Sequence, residues 1–265
     1  HRLLTVVGRD NLRARIENVI PPNFLDHVHT YDQLWSISAY VQQWTRRYWA
    51  MSSELLYPSV AVEQFSPGEK QQRILNVGRF FAGNHNKKHM VMVNAFARMI
   101  EDGLTDWELH LAGSVNQGAI HHDYLAQVRA AAQGLPVFFH TDIPFEQLQA
   151  LYAGSAIYWH ASGYGEDPTA EPRKFEHFGI TTVEAKASGC VPVVIGRGGQ
   201  PELITHETDG FLWYTEAELQ DYTLKLINDP ALRRLMSQRA EIASRRYDQQ
   251  RFEQRLSDLV RKFDA

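Results

Sequence analysis

The chain has 265 residues, 44% of them hydrophobic, a formal net charge of −4 and one cysteine. This length exceeds an ordinary domain of about 100–200 residues, so one large domain, or one domain with part of another, is expected. The charge removes the global basic field of a nucleic-acid binder, so nucleic acid is not an expected partner, and a lone Cys190 excludes an internal disulfide or a cysteine zinc cluster.

The chain opens on His1 with no signal-peptide pattern, which reads as a mature form or an excised fragment. The single cysteine fits a reducing compartment, and a cytoplasmic location is expected. No apolar run approaches the roughly 18–20 residues of a membrane span, so any membrane contact is expected to be peripheral. A helix is predicted over residues 9–19, a strand over 33–38 and a helix over 39–52. The stretch 56–69, with Pro58, Pro67 and little periodicity, reads as a linker.

From residue 73 onward strands and helices alternate. Strands are predicted at 73–78, 107–113, 136–140, 156–162 and 191–196, and helices at 88–102, 122–133, 144–154 and 180–188. Strands apolar on both faces, separated by amphipathic helices, predict an α/β fold: a Rossmann-like, doubly wound parallel sheet. Such sheets bind ligands beyond the carboxyl ends of their strands, which directs attention to the loops after Val77, Ala112, His140 and His160 and to 196-GRGGQPE-202. The tail 215–264 reads as two or three helices, with Pro230 opening a new one. Residues 231–265 carry nine Lys/Arg against five Asp/Glu, which fits a solvated helix face or a contact with an anionic membrane surface.

Two carboxylates stand out in 171-EPRKFEHFGITTVEAKASGC-190. Glu184 lies three residues after Thr181, the spacing of a capping box, and Glu176 sits among loop charges; structural assignments of that kind suffice for either residue alone. Between them, Phe178, Gly179 and Ile180 enter a helix N-terminus, where free amides and the helix dipole favour an anion and a glycine lets a phosphate approach. A diphosphate also needs cations, and 77-VGRFFAGNHNKKHM-90 places Arg79, Lys87 and Lys88 after the first strand; the plainer assignment, solvated loop cations, suits Lys88 best. His160, ending the fourth strand, either shapes a sugar site or serves the core. His121 and His122 read as a surface pair, Glu202 as structural and Cys190 as a small buried hydrophobe.

The run 176-EHFGITTVE-184, continued through residue 213, resembles the Glu-x7-Glu region of family 4 retaining glycosyltransferases with the GT-B fold, above all the branch with His-Phe-Gly-Ile after the first Glu found in lipid-linked oligosaccharide mannosyltransferases. The resemblance covers residues 73–250 and includes the Arg79–Lys87 element. It implies a hexosyltransferase using a nucleotide-sugar, with UDP or GDP as carrier, and a glycan or lipid-linked acceptor. Glu176 would hold donor-sugar hydroxyls, the backbone of Phe178, Gly179 and Ile180 the diphosphate, Glu184 the ribose, and Arg79 and Lys87 the departing phosphate. Gly198 and Gly199 resemble a family loop near the donor. No cofactor, bound metal or protein nucleophile is implied. By the same resemblance residues 1–65 would be the end of an N-terminal acceptor-binding domain with its linker, and residues 66–265 the donor domain. This C-terminal half of a GT-B enzyme would meet acceptor and membrane through the remainder of the N-terminal domain and be inactive alone. Lys186 departs from the family pattern, which requires a wetter helix face or a partner for the lysine. A non-catalytic nucleotide-sugar binding module stays open as an alternative, whereas the missing G-x-G-x-x-G turn argues against a nicotinamide enzyme.

Overall fold

The computed structural model describes residues 24–264, so the helix expected over 9–19 lies outside them. The described part opens with a short helix α1 (Phe24–Val28), strand β1 (Trp35–Ser36), helix α2 (Ala39–Trp49) and strand β2 (Glu54–Leu55), the two strands pairing in parallel. Ser38 caps α2 by accepting from the Val41 amide at 3.0 Å. The helix stops where Ala50 turns left-handed, three residues before the predicted end.

Six further strands form one parallel sheet: β3 (Gln71–Val77), β4 (Glu108–Gly113), β5 (Val137–Thr141), β6 (Ser155–His160), β7 (Val191–Ile195) and β8 (Phe211–Trp213), in the order β5-β4-β3-β6-β7-β8. The first five match the predicted strands within a residue or two. β8 was not predicted: three residues are too few for a periodic signal, and its pairing with β7 makes it a strand. β6 and β7 are buried at every position, as expected of strands covered on both faces. Alternate residues serve two cores: Ile74, Trp159 and Val193 pack in one, Leu75, Tyr158 and Val194 in the other.

Helix α3 (His89–Glu101) follows β3, α4 (Ala119–Ala131) follows β4 and α5 (Phe145–Gly154) follows β5. Helix α6 (Ile180–Ala187) leads into β7, and the short α7 (Gln200–Leu203) lies between β7 and β8. The tail forms three helices, α8 (Glu216–Asn228), α9 (Pro230–Ser244) and α10 (Gln249–Asp264). Pro230 opens α9, where the Asp229 carboxylate accepts from the amides of Ala231 and Leu232. No helix among the described residues is long and apolar enough to cross a membrane.

The chain runs outward from central β3 to β4 and β5, then returns to β6 and runs outward the other way. The reversal leaves a crevice at the carboxyl ends of β3 and β6. The N-terminal segment is fastened beside it. Glu202 accepts from the Ala39 and Tyr40 amides at 2.7 and 2.8 Å and from the Tyr57 hydroxyl at 3.0 Å, so a carboxylate sits on the positive end of α2. Ser38 donates to the His177 carbonyl, and Arg255 of α10 ties the Leu55 carbonyl and the Glu54 carboxylate.

Candidate active site

The crevice holds a cavity of about 560 Å³ whose lining includes Arg79, Lys87, Glu176, Phe178, Gly179 and Ile180. Six of the predicted site residues, more than a hundred positions apart at their extremes, therefore meet at one opening. Ile37 and Pro58 of the N-terminal segment complete the wall.

Gly179 is the N-cap of α6 with φ +116°, a conformation that favours glycine, and a Cβ there would stand 2.4 Å from Gln200 Nε2 and displace that side chain. The helix begins at Ile180, and the amides of Ile180 and Thr181, which by position have no intrahelical acceptor, lie at the cleft. This geometry rules out the capping box. Thr181 stands inside the helix and its hydroxyl accepts from Tyr158 at 2.8 Å, while Glu184 accepts from the Tyr152 hydroxyl at 2.8 Å.

The charges around the cleft are already partly paired. Lys87 Nζ lies 2.5 Å from Glu176 Oε2, and His160 Nε2 donates to the same oxygen at 3.2 Å. Burial opposes the charge on Glu176, but the hydrogen bonds from His160 and Lys87 and the charge of Lys87 outweigh it and hold the carboxyl well below the usual carboxylate range. His160 itself is buried, and desolvation lowers its pKa, so a neutral imidazole serves as donor. Its two sequence assignments thus combine: it is a core residue whose free edge orients Glu176. Arg79 is exposed and forms no ion pair among the described residues; its guanidinium stands 6.0 Å from the Phe81 ring centroid. Lys88 is engaged elsewhere, 2.6 Å from Glu166, which Lys174 also meets at 2.8 Å.

Gly198 and Gly199 do not line the cavity. A Cβ on Gly198, at φ +67°, would lie 2.4 Å from the Glu176 carbonyl, and one on Gly199 would lie 2.5 Å from the His177 carbonyl. The Gly199 amide donates to the Glu176 carbonyl at 2.8 Å, so the two glycines form the backing against which Glu176 and His177 are set. Glu184 also stands back from the cavity, one turn into α6. Lys186 has the partner its position demanded: it is buried, 2.9 Å from Asp209, and donates to the Leu203 carbonyl. Cys190 is buried. His121 is no free surface residue, since it stacks on Phe81 at 4.6 Å and accepts from the Ala82 amide.

Sequence reasoning missed Tyr152 and the contribution of Ile37 and Pro58. It also missed His85 and gave no role to the side chain of His177, the first residue of the His-Phe-Gly-Ile run; the two rings meet edge to face at 5.7 Å. Burial and the Lys87 charge, with His85 itself acting on His177, hold both pKa values down. No local spacing marks Ile37, Pro58, His85 or Tyr152, because the fold brings them to the site.

The family profile described as "Glycosyl transferases group 1" matches residues 61–242. A GDP-Man:Man(3)GlcNAc(2)-PP-Dol alpha-1,2-mannosyltransferase of Dictyostelium discoideum is 26% identical over 191 residues, 65% of this chain and 35% of that protein. The human protein of the same name is 25% identical over 233 residues, 79% of this chain and 44% of that protein. The chain therefore spans less than half the length of these relatives. Among solved structures, sucrose-phosphate synthase from Thermosynechococcus elongatus superposes with a TM-score of 0.73 at 19% identity, over 97% of this chain and 63% of that one. Anabaena HepE in complex with UDP and glucose gives 0.73 at 17% identity, over 92% and 68%. At these identities the structures establish the fold, a parallel-sheet α/β domain of GT-B type.

Proposed function

The chain belongs to the glycosyl transferases group 1 family, and from that premise we propose that it is the donor-binding part of a retaining family 4 hexosyltransferase. The observation that carries the reading is the cavity in which Arg79, Lys87, Glu176 and the first amides of α6 converge. Both signs of charge line it: cations and helix amides suit a diphosphate, and a carboxylate held ionised suits sugar hydroxyls. The names of the curated relatives favour GDP-mannose as the first donor to test, with UDP-hexoses second.

Catalysis in this reading is electrostatic. As the bond from the anomeric carbon to the β-phosphate oxygen breaks, negative charge grows on the nucleotide. Arg79, Lys87 and the amides of Ile180 and Thr181 meet it. Glu176, oriented by His160, holds the hexose by its hydroxyls, and Glu184 takes the ribose. Transfer to a glycan or lipid-linked acceptor with retained configuration and without a metal belongs to the same proposal. So do the division into residues 1–65 and 66–265, a cytoplasmic location and peripheral membrane contact.

Calorimetric titration with GDP, UDP and ADP tests the site. One nucleotide should bind selectively, and Arg79→Ala should weaken it by about 1.5–3 kcal/mol, the worth of a charged hydrogen bond. Unchanged affinity in that variant would remove Arg79 from the phosphate site. Absence of transfer by a protein that also carries the acceptor-binding N-terminal domain, with donor and acceptor both bound, would favour a non-catalytic binding module.

A further inference from the structure

Tyr152 is a fully buried polar group with no part in the mechanism above. It stands on α5, across from α6, and its hydroxyl donates to Glu184 Oε2 at 2.8 Å, with the Thr181 carbonyl at 3.4 Å. The ring is held edge-on to Phe65 at 5.4 Å, and its own carbonyl accepts from Cys190 Sγ at 3.2 Å. A buried phenol must find an acceptor. The neighbouring Tyr158 meets that need at Thr181 Oγ1, whereas Tyr152 uses a carboxylate. Oε2 is thereby engaged, and Oε1 has no partner among the described residues. Desolvation pushes the Glu184 pKa up and the Tyr152 hydrogen bond works against that push, so the same contact favours the form that accepts hydrogen bonds.

We propose that Tyr152 is a positioning residue for nucleotide recognition: its hydroxyl pins Oε2 of Glu184 and leaves Oε1 for the ribose hydroxyls of a nucleoside diphosphate. The proposal rests on the reading of Glu184 as the ribose ligand. Tyr152 touches no substrate, and its effect passes through Glu184 alone. It therefore predicts a change in the preference for ribose over deoxyribose, which a merely structural tyrosine would leave unmoved.

The test is calorimetric titration of the whole chain with GDP, UDP and their 2′,3′-dideoxy forms, for the unaltered protein, Tyr152→Phe, Glu184→Gln and the double variant. Phenylalanine keeps the ring packing, and the preference is a ratio within one preparation, so a partly unfolded sample does not distort it. The unaltered protein should favour the ribose form, and Glu184→Gln should lose most of that preference. Tyr152→Phe should weaken the ribose form about threefold to tenfold, the effect of one hydrogen bond, and leave the dideoxy form unchanged. The double variant should bind no more weakly than Glu184→Gln. Equal weakening of both forms by Tyr152→Phe, or an intact preference, would overturn the role of Tyr152 while leaving that of Glu184. No nucleotide binding, or no ribose preference in the unaltered protein, would overturn both.

Discussion

Replacing Glu176 with glutamine should tighten the binding of a nucleoside diphosphate that carries no sugar. Lys87, one of the two cations assigned to the diphosphate, is committed to Glu176 at 2.5 Å, with the two side chains 21% and 18% exposed. An arriving diphosphate must draw the ammonium away from that carboxylate and tolerate a negative charge beside it. A hydrogen bond to a charged group contributes about 1.5–3 kcal/mol. Solvent screening at this exposure reduces the difference to about 1–2 kcal/mol, or roughly 5- to 30-fold in affinity. Titration of GDP and UDP at neutral pH and low ionic strength into both proteins measures it. The sugar nucleotide should lose its advantage over the free nucleotide in the same variant, because Glu176 is the assigned ligand of the hexose. Weaker or unchanged binding of the sugar-free nucleotide in Glu176→Gln would refute the idea that the pair competes with phosphate.

Two further outcomes concern stability. Lys186→Met leaves Asp209 buried without its cation and should cost about 3–5 kcal/mol in urea unfolding, with part restored by adding Asp209→Asn. His89 is fully buried, its Nε2 donating to the Gly78 carbonyl at 3.2 Å, and burial lowers its pKa from 6.5 to about 3. The unfolded chain takes up the proton that folded His89 refuses. Its contribution is therefore fully present above pH 6.5 and is lost as the pH falls toward about 3, at up to ~1.4 kcal/mol per pH unit. Urea midpoints across that range should fall less steeply in His89→Gln, and equal slopes would contradict the assignment.

The sheet was legible because its strands are apolar on both faces and its helices are periodic. β3 through β7 and the Pro230 break are readable on those grounds, whereas β8 depends on a neighbour to be a strand at all. The site was legible where chemistry is local. Arg79 and Lys87 follow one strand, and Phe178, Gly179 and Ile180 open one helix. Contacts between distant segments were not: His160 reaches Glu176 across 16 positions and Tyr152 reaches Glu184 across 32. The capping-box spacing of Thr181 and Glu184 failed because Gly179 takes the cap position and moves both residues inside the helix. The anomaly at Lys186 pointed correctly to a partner, but Asp209 lies 23 positions away and was not identified.

A crystal structure of the chain with its preferred nucleotide-sugar tests the central claim most directly. The account predicts the diphosphate against Arg79, the amides of Ile180 and Thr181 and a Lys87 released from Glu176, with the hexose hydroxyls on the freed carboxylate. A diphosphate bound elsewhere, or a Lys87–Glu176 pair intact beside a fully occupied site, would contradict it.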